Sequence, residues 1–160
     1  MDEQDFIQKL EQYSALLTQH NAEVIGCTKE QIRELEAFHK IQLPTFYKIY
    51  LRYFGVTAGT LFLGSDAYYD CLIGSDNITQ GFIELLHENN ITPPDHLFAI
   101  LLHQGYAGEF FITKPYMDDP IIYNYCEGRN IQEDSLFSKN ILRLFQEHID
   151  YWKKGIIKAL

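Results

Sequence analysis

Apolar residues recur with helical spacing at the start of the chain. Phe6, Leu10, Tyr13 and Leu17, with Ile7 and Leu16 beside them, predict a helix over residues 3–18. The period breaks at "NAEVIGC" and resumes after Thr28. Gln31 stands three residues beyond Thr28, the spacing of a capping box, and Ile32, Leu35 and Phe38 supply an apolar face. A Leu43-Pro44 hinge follows. Pro44 suits the first position of a third helix, because it lacks the N–H that would go unpaired there. That helix carries Phe46, Tyr47, Ile49, Tyr50, Leu51, Tyr53 and Phe54. A helix so aromatic must bury most of its circumference, with ring faces inside and tyrosine hydroxyls at the margin. Gly55 is expected to close it in a left-handed conformation.

Beyond Gly55 the pattern changes. "GTLFLGS" (59–65) and "DCLIGS" (70–75) are short apolar runs between Gly, Ser and Asp, and predict strands. Helical spacing returns over 77–90 through Ile78, Phe82, Leu85 and Leu86. "PPD" marks a turn. "HLFAILLHQG" (96–105) and "GEFFITK" (108–114) predict a hairpin, and "PIIYNYCEG" (120–128) another strand. A last helix is expected over 135–158, striped by Ile141, Phe145, Ile149, Trp152 and Ile156. With no repeat or long linker, residues 1–160 read as one α+β domain. Its mostly antiparallel central sheet is flanked by N-terminal and C-terminal helices.

Charge adds a second layer. The formal net charge is −9, and it is uneven: no Lys or Arg occurs from Tyr53 to Thr113, a stretch holding Asp66, Asp70, Asp76, Glu84, Glu88, Asp95 and Glu109. Such a stretch repels nucleic acid and anionic membrane and attracts basic partners. No basic stripe is evident to meet phosphates. No apolar run approaches membrane-spanning length, and "MDEQDFIQKL" has neither a basic nor an apolar leader region, so a cytoplasmic location is expected. Cys27, Cys71 and Cys126 are dispersed without CxxC spacing and read as buried free thiols.

Motifs that carry chemistry are scarce. The sequence contains no nucleophile elbow, P-loop, dinucleotide fingerprint or HExxH, so no catalytic residue, cofactor or metal ligand is assigned. The six histidines lack local ligand spacing, although His96 and His103 could meet across a strand ladder. Asp66 with Asp70, and Asp118 with Asp119, are the available carboxylate pairs, and acid–base work would need either pair to converge on a pocket. Two stretches read better as contact surface. One sets Tyr68 and Tyr69 between Asp66 and Asp70; the other sets Tyr116 and Met117 beside Asp118 and Asp119. Tyrosine gives rigid contact area at low entropy cost, Met and aromatics are enriched in interface cores, and acids steer a basic partner.

The stretch "IRELEAFHKIQLPTFYKIYLRYFG" resembles the opening signature of the SUKH superfamily, a Glu-containing helix, Leu-Pro and an aromatic helix ending near Gly. The matching positions are Glu36, Leu43, Pro44, Tyr47, Leu51 and Gly55. "LFAILLHQGYAGEFFI" resembles that family's strand, Gly-rich turn and strand, and "PIIYNYCEG" its next strand, so the resemblance runs from about Thr28 to Gly128. It implies an α+β fold without cofactor. It also implies an immunity protein that binds and neutralises a cognate bacterial toxin domain, in this family frequently a nuclease, in a contact-dependent or polymorphic toxin system. Fungal relatives are regulators that bind other proteins, so the alternative is a cytoplasmic regulatory or scaffold protein with an endogenous partner. An enzyme is a less favoured reading than either of these, and direct nucleic-acid binding less favoured still. Exposed tyrosines are compatible with a homodimer without arguing for one.

Overall fold

The computed structural model describes residues 1–157 and 160. In chain order the elements are α1 (Glu3–Gln19), β1 (Val24–Ile25), α2 (Lys29–His39), α3 (Thr45–Phe54), β2 (Thr57–Ala58), β3 (Ser65–Asp66) and α4 (Tyr69–Leu72). There follow α5 (Ile78–Glu88), β4 (Leu97–His103), β5 (Ala107–Ile112), β6 (Ile121–Cys126), β7 (Gln132–Leu136) and α6 (Phe137–Lys153). Strands β3-β4-β5-β6-β7 form one antiparallel sheet, and β1 pairs with β2 in a small second one. The fold is α+β.

Local chemistry sets the helix ends. The α2 capping box is complete: Gln31 N–H donates to Thr28 Oγ1 at 3.1 Å, and Thr28 N–H donates to Gln31 Oε1 at 2.8 Å. Asn77 caps α5 through a bond from Gln80 N–H to its side-chain oxygen.

Helices cover both faces of the sheet, which is why β4 is buried along nearly its whole length. On one face α5 sets Phe82 against Phe110 and Tyr125, with ring centroids 5.2 and 6.4 Å apart. On the other, Phe98 and Phe111 stack at 5.3 Å and meet the edge of Tyr47 in α3. Tyr47 in turn touches Phe137 of α6 at 5.4 Å, and Tyr13 of α1 stacks on Phe145 at 4.0 Å. The aromatic helix is therefore the centre of the core. Phe46, Tyr47, Tyr50, Leu51 and Phe54 are buried, and Ile49 is half-buried.

The hydroxyls of Tyr47 and Tyr50 do not sit at the margin as expected. They are buried and have no hydrogen-bond partner among the described residues. Tyr47→Phe therefore breaks no bond within the protein and should leave stability within about 1 kcal/mol of wild type. Tyr47→Ala empties the centre of the core and should cost about 3–5 kcal/mol. Urea unfolding of the two variants separates ring packing from the hydroxyl.

Several expectations are corrected. Residues 59–65 form turns that end in β3, and residues 70–75 continue the short helix α4 (Tyr69–Leu72) into a turn rather than forming a strand. Gly55 has φ −68°, an ordinary right-handed value. It is Gly because a Cβ there would lie 2.4 Å from Cys27 Sγ and 2.5 Å from Leu51 O. Pro44 is the cap residue before α3, and the helix begins at Thr45. α6 begins two residues later than expected, since Ser135 and Leu136 belong to β7, and it ends at Lys153, with Ile156 exposed beyond it. Lys158 lies outside the described residues. His96 and His103 flank opposite ends of β4 and do not meet; His103 instead bonds Ser65 Oγ at 2.7 Å. The three cysteines are free thiols, Cys27 buried and the others half-buried. Among the described residues no helix is long and apolar enough to cross a membrane.

One buried histidine ties the bundle together. His148 of α6 bonds the Tyr13 hydroxyl through Nδ1, and Thr60 Oγ1 through Nε2 at 2.8 Å. Burial lowers its pKa. The unfolded chain therefore binds the His148 proton more readily, and stability drains away as pH falls below about 6.5. Glu109, half-buried against Asn140, acts in the opposite sense, because desolvation raises its pKa. A His148→Asn variant isolates the first effect: chemical denaturation from about pH 7 to about pH 5 should show a shallower loss than wild type.

Candidate functional site

The loop from Pro115 to Pro120 is built by the helices it caps. Neither α3 nor α6 has a side-chain cap on its own first residues. The loop supplies both ends. Thr45 N–H donates to Met117 O at 3.1 Å and Phe46 N–H to Asp118 O at 3.0 Å, while the Thr45 hydroxyl donates to Asp118 Oδ1 at 3.1 Å. At α6, Phe137 N–H donates to Pro120 O, and Asp119 accepts from Ser138 N–H at 2.9 Å and from its hydroxyl at 2.6 Å. Orphan helix N–H groups and the positive dipole end both favour a carboxylate there. Asp118 and Asp119 thus hold the fold, and they point to two different helices rather than one pocket.

What the loop presents outward is Tyr116. Its side chain is 90% exposed, and its backbone is fixed at φ 58° by a bond from its N–H to Gln42 Oε1 at 3.0 Å. A non-Gly residue held in the left-handed region costs about 1–3 kcal/mol, and such strain gathers at functional sites. Met117 is half-buried beside it.

The other stretch folds back further. Tyr68 is half-buried and its hydroxyl donates to Leu61 O at 2.7 Å. Tyr69 donates to Glu34 Oε2 of α2 at 2.6 Å; burial first, and that bond second, push its hydroxyl pKa up to about 12. Asp66 and Asp70 stay exposed. Both stretches lean on α2 or its exit, one through Glu34 and the other through Gln42.

The α2–α3 surface is the feature that the sequence reading missed. Lys29, Ile32, Arg33 and Glu36 share one face of α2, and Thr45, Lys48, Ile49 and Arg52 share one face of α3. The two faces, with Glu3, line a groove of about 300 Å³. Glu36 also borders a depression of about 700 Å³ containing Lys40, Gln42, His96, Lys114 and Pro115. Together they gather six of the thirteen Lys and Arg residues against two of the twenty-two acids. Spacing along Lys29, Arg33 and Lys40, and along Lys48 and Arg52, was the available signal, masked by the net charge of the whole chain.

Among the described residues, no group of three or more His, Cys, Asp or Glu side chains is placed to hold a metal ion. No family model, curated protein or solved structure matches the chain.

Proposed function

We propose that the chain is a protein-binding immunity protein of the SUKH type, which neutralises a cognate toxin domain by covering it. The observation that carries this reading is the Tyr116 loop, an almost fully exposed aromatic on a backbone pinned by Gln42 and by the start of α3. A pre-organised tyrosine loses little entropy on docking, so its contact area converts efficiently into affinity. The resemblance across the Leu43-Pro44 hinge supports the same reading. Asp66 and Asp70 supply steering charge at an exposed site. Asp118 and Asp119, already engaged as caps, contribute through the same field without being free to re-orient.

Protection of cells is the direct test. Co-expression of this chain should restore growth to cells producing the C-terminal domain encoded immediately upstream. Unrelieved toxicity would sink the immunity reading; an upstream domain with no toxicity would favour a regulatory or scaffold role with an endogenous partner. Steering makes a separate prediction. Asp66→Lys with Asp70→Lys should slow association about tenfold in low salt and much less at high salt. Stopped-flow mixing reads this directly, and an unchanged on-rate would remove these two acids from the encounter.

A further inference from the structure

We propose that the groove between α2 and α3 is a second docking site, and that it takes an acidic, amphipathic helical segment of a protein partner. This inference is independent of toxin binding through Tyr116.

The groove has the charge and the floor for such a segment. Lys29, Lys48 and Arg52 on its rim make no salt bridge among the described residues, and Arg33 makes one loose contact, 3.6 Å to Glu30, with both side chains about three-quarters exposed. Of the two acids inside, Glu36 is already committed, since its Oε2 accepts the Leu43 N–H at 3.0 Å in the hinge. The other is Glu3, and Asp118 stands nearby on Thr45. Between the charged rims lie Ile32, which is buried, and Ile49, which is half-buried. Cations flanking an apolar floor match carboxylates flanking an apolar stripe, the pattern of an amphipathic acidic helix. The lining runs from Lys29 to Glu36 on α2 and from Thr45 to Arg52 on α3, so the groove offers about 11 Å, two turns of such a helix.

The apolar floor favours a protein segment over a nucleic acid. A strand of phosphates would also overrun the patch onto a surface where the rest of the chain carries twenty of its twenty-two acids and only seven of its thirteen cations. Such a surface repels an extended polyanion.

The test is fluorescence anisotropy with the full chain. The probe is a fluorescein-labelled helical peptide of about 18 residues, with Glu on one face and Leu on the other. Binding should saturate, weaken as salt is raised, and fall about tenfold in Arg33→Glu with Arg52→Glu. Both side chains are exposed, so thermal melting should match wild type; the neutral Arg33→Gln with Arg52→Gln pair should give a smaller loss in the same direction. Lys153→Glu with Lys154→Glu, at the far end of α6, should leave binding unchanged. The proposal is overturned by non-saturating binding to wild type, by equal loss in the α6 pair, or by an oligonucleotide of matched charge binding as tightly as the peptide.

Discussion

Gly26→Ala is expected to cost about 3 kcal/mol or more and to lower the Tm by about 6–12 °C. A Cβ on Gly26 would lie 1.7 Å from Arg52 O and 2.3 Å from its carbonyl carbon. Both neighbours are backbone of α3, so no side chain can rotate away. Relief requires β1 to lift off the end of the helix. That movement would strain the bond from Cys27 N–H to Leu51 O at 2.7 Å, the bond from Val56 N–H to Ile25 O at 3.0 Å, and the pairing of Val24 with Ala58. A total stability of about 5–15 kcal/mol leaves little margin for such a loss. Thermal melting by circular dichroism checks it, and a curve superimposable on wild type would mean that β1 and α3 do not approach this closely.

Tyr116→Ala should have the largest effect on partner binding, a loss of about 2 kcal/mol or more, which is about thirtyfold in Kd. The ring is exposed, so its removal uncovers no core. The bond to Gln42 uses the Tyr116 backbone N–H, and the capping bonds use the carbonyls of Met117 and Asp118, so the loop keeps its shape after truncation. Binding should therefore fall while the melting temperature holds. Asp118→Ala and Asp119→Ala are poor probes by comparison. Asp119→Ala removes the side-chain cap of α6, and Asp118→Ala removes the bond from the Thr45 hydroxyl, so a weaker complex would report a loosened loop as readily as a lost contact. Unchanged affinity in Tyr116→Ala at wild-type stability would take this loop out of the interface.

The parts of the fold legible in the sequence were those with a single dominant period. α1, α2, α5 and the β4–β5 hairpin declare themselves through regular apolar spacing, and the Thr28–Gln31 box marks the start of α2 within one residue. β7 was hidden because it is an edge strand. Gln132, Glu133 and Asp134 are exposed and charged or polar, which protects an edge from further pairing and erases any apolar alternation. The runs at 59–65 and 70–75 misled because Leu61 and Leu72 are buried from turns and a one-turn helix, so apolar content there reflects depth rather than strand period. Gly55 was read from a local cap rule, whereas its reason is tertiary, the approach of Cys27.

The candidate surface shows the same division. Tyr116 and the acids beside it were visible as a composition, but the work of Asp118 and Asp119 as caps for α3 and α6 depends on residues 73 and 19 positions away in the chain. No local pattern encodes that. The cationic faces of α2 and α3 were present as spacing, yet their juxtaposition depends on the hinge at Leu43-Pro44, which turns one helix against the other.

The central claim, that this chain acts by binding a protein through a pre-organised surface, is tested most directly by calorimetric titration. The titrant is the C-terminal domain encoded immediately upstream, in catalytically inactive form, at low and at moderate salt. Tight one-to-one binding that weakens as salt rises is the predicted result; no detectable heat at either salt, with both proteins folded, would contradict it.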